Sequence, residues 1–313
     1  MSGSPLSADA RRAVAILSGY PLPGAAPLTE LRANARTIME RLAAPGPPLP
    51  MVRDDRTDDG VPVRLYVPPE ATADLLVYAR GSGWVAGSID EQDPLVRRLS
   101  LATRSPVISV DYRLAPEHRF PAALDDVLAA VRSAAALSRR AGGPEPRRIG
   151  VVGQSAGANL AAGAAIALRD ACDPVDLQVL IDPVLRDHRR AAGLVAPPGD
   201  FDGVVDVLRW EWDQYLPEPP TSDLLPLAVP WEVDSVAGLP ATIVVTAGCD
   251  LLAGEGAAYA ARLRAAGVPT ELHEVPGAIH GFLDHTRVGD VADRELQKIA
   301  ALIRSAWGAP PCV

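Results

Sequence analysis

Apolar positions cluster into short stretches bounded by turn residues: 61–67 (VPVRLYV), 75–78 (LLVY), 106–111 (PVISVD), 148–153 (RIGVVG), 177–181 (LQVLI), 242–246 (TIVVT) and 270–275 (TELHEV). Their length and β-branched or aliphatic content predict strands. Most are apolar without alternation, which is the pattern of strands buried on both faces. Helical patterns at 121–139, 156–170 and 254–267 lie between them. Strands alternating with helices predict an α/β fold, a doubly wound and mostly parallel central sheet with helices on both faces. Two regions interrupt that alternation. Residues 1–50 carry a helix-like stretch at 28–42 flanked by prolines, and residues 186–220 hold a loop followed by a helical piece at 204–216.

Aromatic residues make up only 4% of the chain, yet Trp210, Trp212 and Tyr215 fall within six positions of that second segment. They serve either to line a pocket or to anchor the helix to the core. The 313 residues suffice for one large domain. Thirty Lys and Arg against 39 Asp and Glu give a net charge of −9 with no basic run, which excludes a nucleic-acid partner. Cys172, Cys249 and Cys312 form no CxxC pair, so neither a disulfide framework nor a zinc site is expected, and a reducing cytoplasm fits. The first 17 residues lack the apolar core of a signal peptide. Residues 149–168 are uncharged over about a membrane's width, but Gln154, Ser155, Asn159 and the many Gly and Ala suit a buried strand–turn–helix, so no membrane span is expected. No signal for an oligomeric state is present.

Chemistry concentrates at Gly153-Gln154-Ser155-Ala156-Gly157, between an apolar strand and a helical pattern. A serine at a tight strand-to-helix turn needs glycines two residues before and after it, and the helix N-terminus with the Ala156 amide faces a developing oxyanion. Such a serine needs a base. Of five histidines, His280 sits on a glycine-rich loop after the last strand, His273 lies within that strand, His118 in a proline-flanked turn, and His285 is the near rival. Asp250 follows strand 242–246 at the carboxyl edge of the sheet, where it is either the acid that orients the base or a helix N-cap. The order Ser155, Asp250, His280 is that of the α/β hydrolases.

Asp111-Tyr112-Arg113-Leu114-Ala115-Pro116-Glu117-His118, Phe120-Pro121-Ala122-Ala123, the Ser155 pentapeptide, Asp250 with Glu255-Gly256, and the run from Gly277 to Phe282 together resemble the hormone-sensitive-lipase family of esterases and lipases. The resemblance covers about residues 55–285. It implies an α/β-hydrolase core over 51–313, with a helical cap made of residues 1–50 and an inserted segment at about 186–220. It further implies a triad of Ser155, Asp250 and His280 that cleaves carboxylic esters of small molecules through an acyl-serine, without metal or cofactor.

In the family a His-Gly-Gly-Gly loop supplies oxyanion donors. Here the matching residues are Arg80-Gly81-Ser82-Gly83, followed by Trp84, so the expected oxyanion hole is Ser82, Gly83 and Ala156. Serine tolerates fewer backbone conformations than glycine, which predicts a distorted loop. Arg80 either binds a substrate carboxylate, pairs with a nearby acid, or points away. Gln154 stands where the family has Asp, and Ala158 where it has Gly. The strands leading to Arg80 and Gln154 should be neighbours, so both changes shift the local charge upward together. Arg80, Trp84, Gln154, Trp210 and Trp212 are the residues expected against the substrate. The altered loop leaves two further readings beside ester hydrolysis: a non-hydrolytic enzyme on the same scaffold, such as a cyclase or lyase, and a noncatalytic binding protein.

Overall fold

The computed structural model describes residues 6–173, 175–189, 203–216 and 224–308. Eight strands form one sheet: β1 (Met51–Arg56), β2 (Pro62–Val67), β3 (Asp74–Ala79), β4 (Val107–Val110), β5 (Arg148–Gln154), β6 (Leu177–Ile181), β7 (Ala241–Ala247) and β8 (Thr270–Val275), in the order β1-β2-β4-β3-β5-β6-β7-β8. From β4 through β8 every neighbour is parallel, and β1 and β2 are antiparallel. The seven stretches read from the sequence are β2 to β8. The strand without a sequence signal is β1, where four of six residues are charged. An edge strand packs one side against solvent, so it does not need an apolar run. Its Asp54 is the register partner of Arg64 on β2 and accepts from that guanidinium at 2.5 Å.

Ten helices accompany the sheet: α1 (Ala8–Leu17), α2 (Leu28–Leu42), α3 (Ile89–Thr103), α4 (Ala122–Arg132), α5 (Ala134–Arg140), α6 (Ala156–Asp170), α7 (Val204–Tyr215), α8 (Leu225–Ala228), α9 (Ala253–Ala265) and α10 (Val291–Gly308), counted among the described residues. α4, α6 and α9 cover one face, and α3 and α10 the other. Alternation along β3 divides its side chains between the two cores, with Leu75, Val77 and Ala79 in the first and Leu76 and Tyr78 in the second. The second core depends on the two helices the hydrophobic pattern did not reveal. α10 buries Leu296, Ile299, Ile303 and Trp307 at helical spacing. α3 starts at Ser88, whose hydroxyl accepts from the Glu91 amide, but its charges and internal Pro94 hide the periodicity. The uncharged stretch 149–168 is β5, a turn and α6, and no helix among the described residues is long and apolar enough to cross a membrane.

The described parts of both segments outside the alternation lie over the carboxyl edge of the sheet. The Ser7 amide donates to Gly277 O on the loop after β8, and Ala10, Ala13 and Leu42 form a small core with Ile279. α2 is fastened by Arg32, which donates twice to Glu117 at 2.8 Å and also to the carbonyls of Val85 and Ala115. Of the segment 186–220, residues 190–202 and 217–220 lie outside the described residues. The described helix α7 is held by aromatic packing. Tyr215 stacks on Trp84 with centroids 4.3 Å apart, and Trp212 lies 4.7 Å from the same ring.

Trp84, Trp212 and Tyr215 are therefore an anchor for α7. Trp212→Ala should lower the free energy of unfolding by about 3–5 kcal/mol, the cost of emptying a large buried aromatic site. Denaturant unfolding measures it, and a loss below about 1 kcal/mol would mean that α7 is held by something else.

Candidate active site

β5 ends where the chain must reverse into α6 within one residue. Ser155 at that junction has φ 55° and ψ −120°, a region non-glycine residues rarely enter. A side chain at Gly153 would place its Cβ 2.0 Å from Gly157 O, and one at Gly157 would sit 2.0 Å from Ala79 O. Both glycines are thus required by the backbones of β3 and α6. The Ser155 amide donates to Ile181 O on β6, which ties the turn to the next strand.

His280 and Asp250 reach this turn from the loops after β8 and β7. His280 Nε2 is 2.8 Å from Ser155 Oγ, and its Nδ1 is 2.7 Å from Asp250 Oδ2. Gly277 and Gly281, with φ 71° and 73°, allow the loop carrying His280 to turn back over the sheet. Asp250 Oδ1 also accepts from the Leu252 amide, so the turn-capping role and the histidine contact belong to one carboxylate.

His285 lines the same cavity but does not bond to the serine, whose partner is His280, and burial pushes the His285 pKa down to about 4. His188 and His273 are engaged by Glu255 at 2.8 Å and Glu295 at 2.9 Å, and His118 is exposed.

A second carboxylate that the sequence reading missed stands beside His280 and Asp250. Asp182, directly after β6, accepts from the Ala247 amide at 2.9 Å and the Gly281 amide at 3.0 Å, bracing the loop of His280 against β7. The available signal was an aspartate at the end of an apolar strand, the same signal that marked Asp250. Burial and the charge of Asp250 raise the Asp182 pKa to about 7. Burial alone would depress His280, but the charge and hydrogen bond of Asp250, reinforced by Asp182 and Glu211, raise it above its ordinary value. Asp182, Asp250 and His280 offer ligand atoms within 4.8 Å of one another. Both nitrogens of His280 and both oxygens of Asp182 are already in hydrogen bonds, so the cluster holds together through protons and does not need a cation.

Around Ser155 lies a cavity of about 260 Å³. Gly81, Ser82 and Gly83 form one wall, Leu17, Ile38 and Met39 come from α1 and α2, and Val207, Leu208 and Glu211 come from α7. Ser82 has φ 80° and Gly83 φ 61°, so the loop takes left-handed backbone at both positions and the serine carries strain there. Among the described residues no protein acceptor takes the amides of Ser82, Gly83 or Ala156. Tyr112 secures the loop by donating to the carbonyl oxygens of Arg80 and Gly81 at 3.0 and 3.2 Å.

Four residues expected against the substrate are elsewhere. Arg80 is 1% exposed and turned behind the loop, where it donates to Val110 O and Tyr112 O, pairs with Asp111 at 3.5 Å and lies 4.0 Å over the Tyr112 ring. The internal-pairing alternative is the one observed, because a guanidinium finds two carbonyls, a carboxylate and an aromatic face there. Trp84 and Trp212 are fully buried in the anchor of α7, and Trp210 packs on Gly24. Gln154 does line the cavity. Its amide donates to Asp284 at 3.0 Å, within a buried set that includes Tyr78 and Gln92. Burial raises the Asp284 pKa to about 6. β3 and β5 are adjacent, as expected, yet Arg80 and Gln154 have separate partners, so the two replacements are not coupled by contact.

Residues 76–284 match a family described as alpha/beta hydrolase fold. Carboxylesterase NlhH of Mycobacterium tuberculosis is 36% identical over 290 residues, covering 88% of this chain and 89% of its own. An ethyl acetate hydrolase of Pseudomonas putida is 36% identical over 262 residues, covering 79% and 80%. The solved hyperthermophilic esterase of Pyrobaculum calidifontis superposes with a TM-score of 0.87 at 32% identity, covering 97% of this chain and all of that one.

Since Arg80 holds structure and does not face the cavity, Arg80→Ala should cost on the order of 3 kcal/mol of stability, as for a broken buried pair. Thermal or denaturant unfolding reads this. Matched neutral and anionic esters should be affected alike, and a selective loss on the anionic one would restore Arg80 as a substrate contact.

Proposed function

The chain belongs to the α/β-hydrolase family, and from that premise we propose that it is a serine hydrolase cleaving carboxylic esters of small molecules through an acyl-Ser155 intermediate. The observation that carries this reading is the unbroken hydrogen-bonded chain from Ser155 Oγ through His280 to Asp250.

Ser155 Oγ attacks the ester carbonyl carbon while His280 Nε2 takes its proton, and Asp250 stabilises the imidazolium at Nδ1. The carbonyl oxygen becomes an oxyanion held by the amides of Ser82, Gly83 and Ala156, each such donor being worth about 2.7–4 kcal/mol in a preorganised site. Collapse breaks the bond to the alcohol oxygen, which leaves with the proton from His280. Water then attacks the acyl carbon with His280 as base, and the acid departs as Ser155 recovers its proton. Asp182 is read as a positioning residue for the His280 loop. The helices α1, α2 and α7 that line the cavity are read as the cap. The relatives compared above are ester hydrolases by name, which supports hydrolysis over a cyclase or lyase reaction. The absence of any CxxC pair supports a reducing compartment such as the cytoplasm.

A fluorophosphonate probe should label the wild type and not Ser155→Ala, and short-chain p-nitrophenyl esters should turn over only where labelling occurs. Labelling that persists in Ser155→Ala would remove the assignment. His280→Ala should reduce kcat/KM at least about a hundredfold, whereas His285→Ala should not.

The pH profile carries a sign. The base acts as neutral imidazole and its pKa is raised by the surrounding carboxylates, so protonation disables it at higher pH than in an isolated histidine. kcat/KM should therefore fall with decreasing pH through a midpoint above the ordinary 6.5. A midpoint below that value would contradict the electrostatic account.

A further inference from the structure

Along α7 the cavity-facing positions are Val204, Val207, Leu208 and Glu211, spaced as one helical stripe. Three are apolar and the fourth is a carboxylate. Glu211 is packed directly on the oxyanion loop: a Cβ built at Gly83 would lie 2.0 Å from its Oε1 and 2.1 Å from its Cδ, so in this rotamer the carboxylate rests against the backbone of Gly83. Among the described residues no Arg or Lys lines the cavity, and no hydrogen bond or ion pair engages the Glu211 carboxylate. The charged group that acts on it is His280, across the cavity, and burial raises its pKa to about 7. A carboxylate beside the site where an oxyanion forms opposes that charge unless something neutralises it.

We propose that Glu211 selects the substrate: its carboxylate pairs with a protonated amine on the ester, so that the cavity prefers ammonium-bearing esters to neutral isosteres of the same shape. This rests on the ester-hydrolase reading above. The ammonium group finds a carboxylate partner in a cavity with no arginine or lysine among its described lining residues, and its charge cancels the one next to the oxyanion loop. The same arrangement disfavours carboxylate-bearing esters, since Arg80, the cation nearest in sequence to the loop, is sealed on its far side.

The test compares kcat/KM for matched pairs at a pH where Glu211 is ionised and the amine protonated. One pair is the p-nitrophenyl esters of an ω-amino acid and of its methyl-terminated isostere, which puts the cation on the acyl side. The other is the acetates of N,N-dimethylaminoethanol and of isoamyl alcohol, its carbon isostere, which puts it on the alcohol side. The wild type should favour the cationic member of at least one pair by about ten- to a hundredfold, the range of a charge-assisted hydrogen bond. Glu211→Gln should bring that ratio close to one and raise turnover of the neutral member, while Glu211→Asp should retain a preference. Ratios near one for both pairs in the wild type, or a preference that survives Glu211→Gln, would overturn the proposal. Fluorophosphonate labelling of Ser155 in the same samples separates the two readings. Labelling with neutral-ester turnover but no charge preference removes only the role of Glu211, whereas loss of both labelling and turnover removes the hydrolase reading and this inference with it.

Discussion

The single turn between β5 and α6 is the constraint on which the site depends. Ser155 is held at a positive φ that costs on the order of 1–3 kcal/mol and persists only where the surroundings over-determine it. Here the surroundings are the backbones themselves. The 2.0 Å approach at Gly153 and at Gly157 leaves no room for side chains, and the amide of Ser155 is pinned to β6. The strained residue is thus clamped between β3, β6 and α6, at the centre of the sheet. Each other component arrives at that fixed point from the carboxyl end of a neighbouring strand: the Gly81–Gly83 loop after β3, Asp182 after β6, Asp250 after β7 and His280 after β8.

Charge around His280 is the second organising feature. Asp250 orients the ring, Asp182 ties down the loop that carries it, and Glu211 faces it across the cavity. A site so rich in carboxylates holds its protons more tightly than isolated groups would, and no arginine or lysine among the described residues lines the cavity to balance them. The one arginine in the loop, Arg80, serves the opposite side. By binding the carbonyls of Val110, at the end of β4, and of Tyr112, and by stacking on the Tyr112 ring, it builds the platform from which Tyr112 in turn donates to the loop carbonyls. The departure from the His-Gly-Gly-Gly pattern is thereby a change in scaffolding behind the oxyanion loop.

Most of the fold was legible in the sequence because strands buried on both faces and helices with one apolar side leave periodic traces. β1 and α3 left none: an edge strand tolerates four charges in six residues, and α3 mixes a capping serine, acidic residues and a proline into its apolar stripe, while α10 carries such a stripe and the sequence reading still did not identify it. The hydrogen-bonded set Ser155, His280 and Asp250 was legible for a related reason. A strained turn demands glycines at fixed spacing, and the loops after successive parallel strands must converge at one edge. The roles assigned to Arg80, Trp84, Trp210 and Trp212 were not legible, since residue type specifies what a side chain can bind and leaves open which way it turns.

What the sequence determined by itself is therefore whatever follows from local periodicity and backbone sterics: the parallel sheet, the glycine-flanked strand-to-helix turn at Ser155, and the order in which Ser155, Asp250 and His280 are met. What only the tertiary structure decided is orientation and neighbourhood. It sent Arg80 into the wall and Trp212 into the anchor, drew Asp182 up beside His280, and set Glu211 against Gly83, more than 120 positions earlier in the chain. These outcomes depend on contacts between segments far apart in sequence. Their energies come from burial and electrostatics, which depend on the surroundings and leave no spacing rule in the chain.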